Sequence, residues 1–249
     1  MTGKATSETI DRLAIRKRPE GFSLMRQWWG KLLFMHWPIE AELLRPLIPS
    51  RLTIDTFEGQ AWIGVVPFTM WGVRPSFGPA LPGLSAFHEL NVRTYVHYEG
   101  VPGVWFFSLD ANNAAAVWAA RTFARLPYFK ARISLEQNEA TINYASTRTH
   151  KSSPSATLES SWSIGEELDP STPESLTFFL TERYCLYTSR DEKLYRLRIF
   201  HSQWPLRSAV LLSNSSTMIE SIGISATPVE PILHYAEEIK VDIWPLVKM

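Results

Sequence analysis

The segment Glu89-Leu90-Asn91-Val92-Arg93-Thr94-Tyr95-Val96 alternates strictly. One face of an extended strand would carry Glu89, Asn91, Arg93 and Tyr95, the other Leu90, Val92, Thr94 and Val96. The next segment, Val104-Trp105-Phe106-Phe107-Ser108-Leu109-Asp110, is apolar on both faces until Ser108. A two-faced apolar neighbour belongs inside a sheet or barrel. A carboxylate, a guanidinium and a phenol on one face beside it point to an internal cavity. The competing reading is a solvated strand with a surface Glu89–Arg93 pair, which is common and weak. Asn112 or Asn113 can cap an Ala-rich helix, Ala114 to Arg125, which Leu126-Pro127 stops. A strand from Tyr128 follows, with Tyr128, Lys130 and Arg132 on one face.

The remaining elements set the fold class. Trp28, Leu32 and Met35 fall at near-helical spacing, with Met25 one turn earlier, and predict a helix over 22–35 that stops at His36-Trp37-Pro38. A short helix follows over 39–45, ended by Pro46 and Pro49. Alternation from Arg51 and the turn at Glu58-Gly59 predict a hairpin through Val66. Residues 72–86 hold three prolines and three glycines, too dense for a ladder, and read as a lid over the cavity or a plain connection. A hairpin turns near Asn138 and returns through 141–149, and 156–164 reads as another strand. Ser171-Thr172-Pro173-Glu174 reads as a helix start. Strands over 194–201 and 232–244 and a short helix from Ser213 to Ile222 complete the chain. A strand-rich chain with a few inserted helices fits a mainly β (α+β) barrel or sandwich. Residues 1–20 are expected to be a flexible leader and 21–249 a single domain.

Charge and composition exclude several roles. Twenty-five acidic and 25 basic side chains give zero formal charge and no basic footprint for nucleic acid. No run of about eighteen apolar residues marks a membrane span, and the charged N-terminus lacks the apolar core of a secretory signal. A cytoplasmic protein is expected, with a small-molecule partner and a possible homo-oligomer. The single cysteine, Cys185 between Tyr184 and Leu186, excludes a disulfide framework and reads as a buried, inert thiol. Ten Trp and thirteen Phe can build an aromatic core or line a pocket with rings. No Gly-rich phosphate loop is present. Gly83-Leu84-Ser85-Ala86-Phe87 lacks the second glycine of a hydrolase elbow. His88-Glu89 has Val92 where a zincin needs its second histidine, and the six histidines share no ligand spacing. Neither a metal nor an organic cofactor is expected.

Several motifs carry a family resemblance. Phe34-Met35-His36-Trp37-Pro38, Glu89 to Val96, Phe106-Phe107-Ser108-Leu109-Asp110-Ala111, Leu126-Pro127-Tyr128, Glu182-Arg183-Tyr184 and His201-Ser202-Gln203-Trp204-Pro205-Leu206 occur in order. Together they resemble the YqjF-like family, a bacterial family of unassigned function within the acetoacetate-decarboxylase-like superfamily. The resemblance implies a strongly bent antiparallel barrel around a mostly enclosed cavity. In acetoacetate decarboxylase a lysine there forms a Schiff base, its pKa depressed by an adjacent lysine. Pro127-Tyr128-Phe129-Lys130-Ala131 keeps the frame of that motif with Tyr128 and Phe129 in place of both lysines. The decarboxylase chemistry therefore does not carry over.

Glu89, Arg93, Tyr128 and Lys130 are the catalytic candidates. Glu89 would serve as acid or base, Arg93 as a fork for a substrate carboxylate, and Lys130 as the remaining amine near the motif. Asn91, Tyr95, Phe106, Ser108 and Arg121 are the candidate ligand contacts. Two function classes follow: an enzyme acting on a small carboxylate or keto acid, and a non-catalytic protein whose aromatic cavity holds a ligand.

Overall fold

The computed structural model describes residues 10–80, 85–225 and 229–249. Twelve strands form one sheet that curves into a ring, as the barrel expectation requires. They are β1 (Met25–Ile39), β2 (Thr53–Ile54), β3 (Ala61–Pro75), β4 (Phe87–Tyr98), β5 (Val101–Ala111), β6 (Tyr128–Asn138), β7 (Thr141–Arg148), β8 (Thr157–Glu167), β9 (Cys185–Arg190), β10 (Lys193–Phe200), β11 (Leu206–Ser216) and β12 (Ile232–Lys248). The spine is β12–β1–β3–β4–β5, and both its edges fork. β5 bonds β9 at Val104–Trp105 and β6 at Leu109–Ala111, both parallel. β12 likewise divides one edge between β10 and β11. One path round the ring therefore runs through β9 and β10, and another through β6, β7, β8 and β11.

The two faces of the spine bury different cores. Leu33, Met35, Ile63, Val65, Leu90 and Val92 pack with Ile133, Ile142, Tyr144, Leu158 and Trp162 from β6–β8. Phe34, Val66, Phe68, Ala111, Trp204 and Val241 form a second cluster on the opposite face. That second face carries Glu89, Asn91, Arg93 and Tyr95.

The helix expected over 22–35 is the central strand β1. Its edges pair to β3 and β12, and Leu32 and Phe34 pack into one core while Leu33, Met35 and Trp37 pack into the other, so no period of two shows in its sequence. The hairpin expected from Arg51 is also rearranged, because β2 pairs with β4. Helix α1 (Ala41–Leu44) forms where expected. Helix α2 (Ala114–Ala119) is capped by Asn113, whose side chain accepts from the amides of Ala115 and Ala116. It widens into a π-helical turn, Ala120–Ala124, ending at Arg125 with φ 57°. Helix α3 (Leu176–Thr181) starts at Ser175, four residues beyond the expected Ser171. The stretch from Ser213 continues β11, and only Glu220–Ile222 forms a 3₁₀ turn.

β3 runs to Pro75, so residues 72–75 of the expected loop are strand, and residues 81–84 of the proposed lid lie outside the described residues. In the expected leader, residues 1–9 also lie outside them, but residues 10–20 are anchored. Ile15 is buried, Arg12 is bonded to Asp55 at 2.6 Å, and Arg18 to Asp242 at 2.7 Å.

Candidate functional site

β4 places its polar residues on one face, as the alternation requires, and that face is turned into the protein. Glu89, Asn91 and Tyr95 are buried, and Arg93 is half-buried. Register then selects what meets them. Phe68 of β3 and Ala111 of β5 lie opposite Glu89. Leu109, opposite Asn91, is in turn opposite Tyr128 of β6. Tyr128 is therefore on the Glu89 face, and its hydroxyl donates to Glu89 Oε2 at 2.6 Å. The Asn91 side chain bonds the same carboxyl. Burial pushes Glu89 up to about 8 against these two hydrogen bonds, with nearby Asp110 adding to the rise. At neutral pH Glu89 is mostly a neutral acid.

The upper part of this face is a second network. The Tyr95 hydroxyl donates to the Leu180 carbonyl at 2.6 Å and lies 2.6 Å from His36 Nε2. With the one phenolic proton committed to Leu180, the proton in the His36 contact must sit on Nε2. His36 Nδ1 is left a bare acceptor, with no partner among the described residues. Burial, with Arg93 nearby, holds His36 well below the usual histidine range. Arg93 donates to the Leu180 carbonyl at 3.3 Å and sits 5.1 Å above the Phe34 ring. The wall beside it is aromatic: Trp204 meets Phe34 edge-on at 5.2 Å and stacks on Trp29 at 6.4 Å, and Trp29 meets Phe68 at 5.7 Å.

The other candidates separate. A bulge between Val92 and Arg93 sets Phe106 opposite Arg93 but Ser108 opposite Val92. Ser108 and Asp110 thus belong to the Leu90–Val92 face, away from Glu89. Phe106, Ser108 and Arg121 line a separate cleft of about 820 Å³. Glu89, Arg93, Tyr128 and Lys130 do not line it, so the nine candidates share no single void there. Lys130, expected to reach the same space as Tyr128, is exposed at the last pair of the short β5–β6 ladder, opposite Ala111.

Sequence reasoning missed His36, read as part of a helix stop, and the buried Asp55. Arg183, 5% exposed, bonds Asp55 at 2.7 Å and lies over the Tyr95 and Phe179 rings at 4.5 and 4.3 Å. No local signal links residues so far apart in the chain. The other signature motifs explain one another: Glu182 accepts from Tyr184 and from the Trp204 amide, and His201 stacks on Tyr184 at 4.4 Å. Burial pushes the Cys185 thiol up to about 12, as an inert cysteine requires. Among the described residues no group of three or more His, Cys, Asp or Glu is placed to hold a metal, and no helix is long and apolar enough to cross a membrane.

Solved structures define the class of this forked barrel with its inward carboxyl. An acetoacetate decarboxylase-like enzyme from Sphingomonas wittichii RW1 superposes with TM-score 0.61 at 10% identity, covering 91% of this chain and 93% of that one. Acetoacetate decarboxylase from Legionella pneumophila gives 0.58 at 13%, covering 100% and 98%. The enduracididine biosynthesis enzyme MppR complexed with pyruvate gives 0.61 at 11%, covering 92% and 91%. The fold is acetoacetate-decarboxylase-like.

Within that class the chain belongs to the DUF2071 family, described as "Uncharacterized conserved protein (COG2071)", which matches residues 26–240. It is 43% identical over 230 residues to the uncharacterized protein YqjF of Bacillus subtilis (strain 168), covering 92% of this chain and 94% of that one.

Proposed function

We propose that the chain is an enzyme acting on a small keto acid at the Glu89 face, with Glu89 moving a proton at the carbon beside the carbonyl. The observation that carries this is the hydrogen bond from half-buried Tyr128 to buried Glu89, with Glu89 raised to about 8. A base poised near neutral pH combines availability with driving force. Glu89 takes the proton from carbon, an enolate forms, and the proton returns to carbon or oxygen. The Tyr128 hydrogen bond stabilises the ionised carboxylate before the first transfer and after the second; between them Glu89 is the neutral acid.

Arg93 is the fork for the substrate carboxylate. Four residues along a strand span about 13 Å between Cα atoms. The fit therefore favours acids whose carbonyl and carboxylate are several bonds apart, with an apolar middle against Phe34. His36 Nδ1, Asn91 Oδ1 and Arg93 Nε on this face, buried and without a partner among the described residues, supply further polar contacts. The structural neighbour MppR holds pyruvate, a 2-keto acid. A Schiff base is not part of this reading, since Tyr128 and Phe129 stand in the lysine positions and Lys130 is exposed.

The test is deuterium exchange from heavy water into pyruvate, acetoacetate and 4-oxopentanoate, followed by proton NMR. Expected are catalysed exchange in at least one acid, a rate rising with pH through about 8, and loss by a factor of about 100 or more in Glu89→Gln. Borohydride with each acid should leave no lysine adduct by mass spectrometry. Exchange that survives Glu89→Gln rejects the assignment. The aromatic wall of Trp29, Phe34, Phe68 and Trp204 favours a second reading, a binding protein without turnover. Ligand-induced thermal stabilisation with no exchange in any acid would select it.

A further inference from the structure

The cleft of about 820 Å³ beside β5 is not lined by Glu89, Arg93 or Tyr128, and its lining has a definite chemistry. Its volume lies in the range of small-molecule sites. Four arginines line it, Arg121, Arg125, Arg148 and Arg190, and among the described residues no aspartate or glutamate does. In a chain of zero formal charge this is a strong local segregation. Asp110 is fully buried behind the lining and already bonded by Arg148 Nε at 3.0 Å, and exposed Asp191 lies 3.9 Å from Arg190 Nε.

The guanidinium groups are positioned. The π-helical turn after α2 delivers Arg121 and Arg125 to one side. Arg121 Nη1 donates to the Tyr128 carbonyl at 2.6 Å, and Arg125 Nη1 to the Tyr195 hydroxyl at 2.6 Å. Each is anchored through one nitrogen, which leaves donors of the fork to an anion. Arg148 lies 4.3 Å above the Phe129 ring. Ser108 gives an independent indication: it is 1% exposed, lines the cleft, and its hydroxyl has no partner among the described residues. Trp105, Phe106, Phe107, Phe129 and Tyr187 supply apolar ring surface between the charges.

We propose that this cleft is a second binding site, separate from the Glu89 face, for a small organic anion with an aromatic or other apolar body. The anion pairs with Arg121 and Arg125, and the body lies against the rings.

The probe is naphthalene-2-carboxylate, titrated by calorimetry against its neutral isostere 2-naphthamide. The carboxylate should bind with one-to-one stoichiometry and at least tenfold more tightly than the amide. Arg121→Ala/Arg125→Ala should weaken the carboxylate at least tenfold and leave the amide unchanged. Should circular dichroism show that double variant unfolded, Arg190→Ala, at an exposed position, should still cost threefold or more. Ser108→Ala should cost severalfold. Equal affinity for acid and amide, indifference to the arginine substitutions, or no binding to millimolar concentration would each overturn the site. Glu89→Gln should leave carboxylate binding intact, so failure of the keto-acid reading does not touch this one. If Glu89→Gln abolishes binding and the arginine variants do not, the ligand sits on the Glu89 face and this proposal is wrong.

Discussion

Glu89 holds a proton because two opposing effects are unequal. Removing its charge from water raises its pKa more than the hydrogen bonds from Tyr128 and Asn91 lower it. Tyr128→Phe deletes one lowering contact and leaves the burial, so Glu89 should titrate above about 8 in that variant. Infrared difference spectra of the protonated carboxyl band across pH would show the midpoint move upward; an unmoved midpoint would mean the hydrogen bond contributes nothing. The Glu89 side of this site was legible in the sequence, because alternation in a strand fixes which side chains share a face. The separation of Ser108 from the Glu89 face was not legible, because one bulge residue reverses the alternation and nothing in Phe106-Phe107-Ser108 announces it. His36 and Asp55 were illegible for another reason: their partners, Tyr95 and Arg183, are 59 and 128 residues away.

β1 shows the same limit at the level of an element. Trp28, Leu32 and Met35 mimic a helical stripe only because every position of a strand paired on both edges can be apolar. Periodicity loses its meaning where both faces are buried. The resemblance to a known family gave the barrel, which local pattern alone left open between barrel and sandwich. One residue of β1 reports how tightly the spine closes. A Cβ on Gly30 would lie 2.3 Å from the Glu237 carbonyl oxygen and 2.5 Å from the Trp71 ring. The first contact is backbone of the neighbouring strand and cannot swing aside. Gly30→Ala should therefore destabilise the fold by about 1–3 kcal/mol, read as a lower urea midpoint with unchanged m-value. An unchanged midpoint would show that β1 and β12 can part at no cost.

For the whole molecule, the buried titratable groups predict a maximum of stability close to neutrality. His36, His201 and His234 are all lowered, His234 to about 4, chiefly by burial. Between about pH 4 and 6.5 the unfolded chain binds protons there that the native chain refuses, so stability rises with pH. Glu89 and Asp110 act oppositely. Burial raises them to about 8 and about 6, so their contribution is present below the unfolded carboxylate range and is lost as pH rises through those values. Of these five groups the three histidines outweigh the two carboxylates on the acid side, and above pH 6.5 Glu89 alone of the five still titrates. The maximum should fall between about pH 6 and 7. On the alkaline side one proton is involved, a slope of about 1.4 kcal/mol per pH unit and roughly 2 kcal/mol by pH 8. Urea unfolding from pH 4 to 9 tests this, and Glu89→Gln is the decisive comparison. A neutral isostere cannot ionise, so its alkaline limb should be flat and its acid limb, no longer opposed by Glu89, steeper. A wild-type profile flat above pH 6.5, or a decline that persists in Glu89→Gln, would mean that Glu89 ionises freely. The buried acid on which the keto-acid chemistry rests would then not exist.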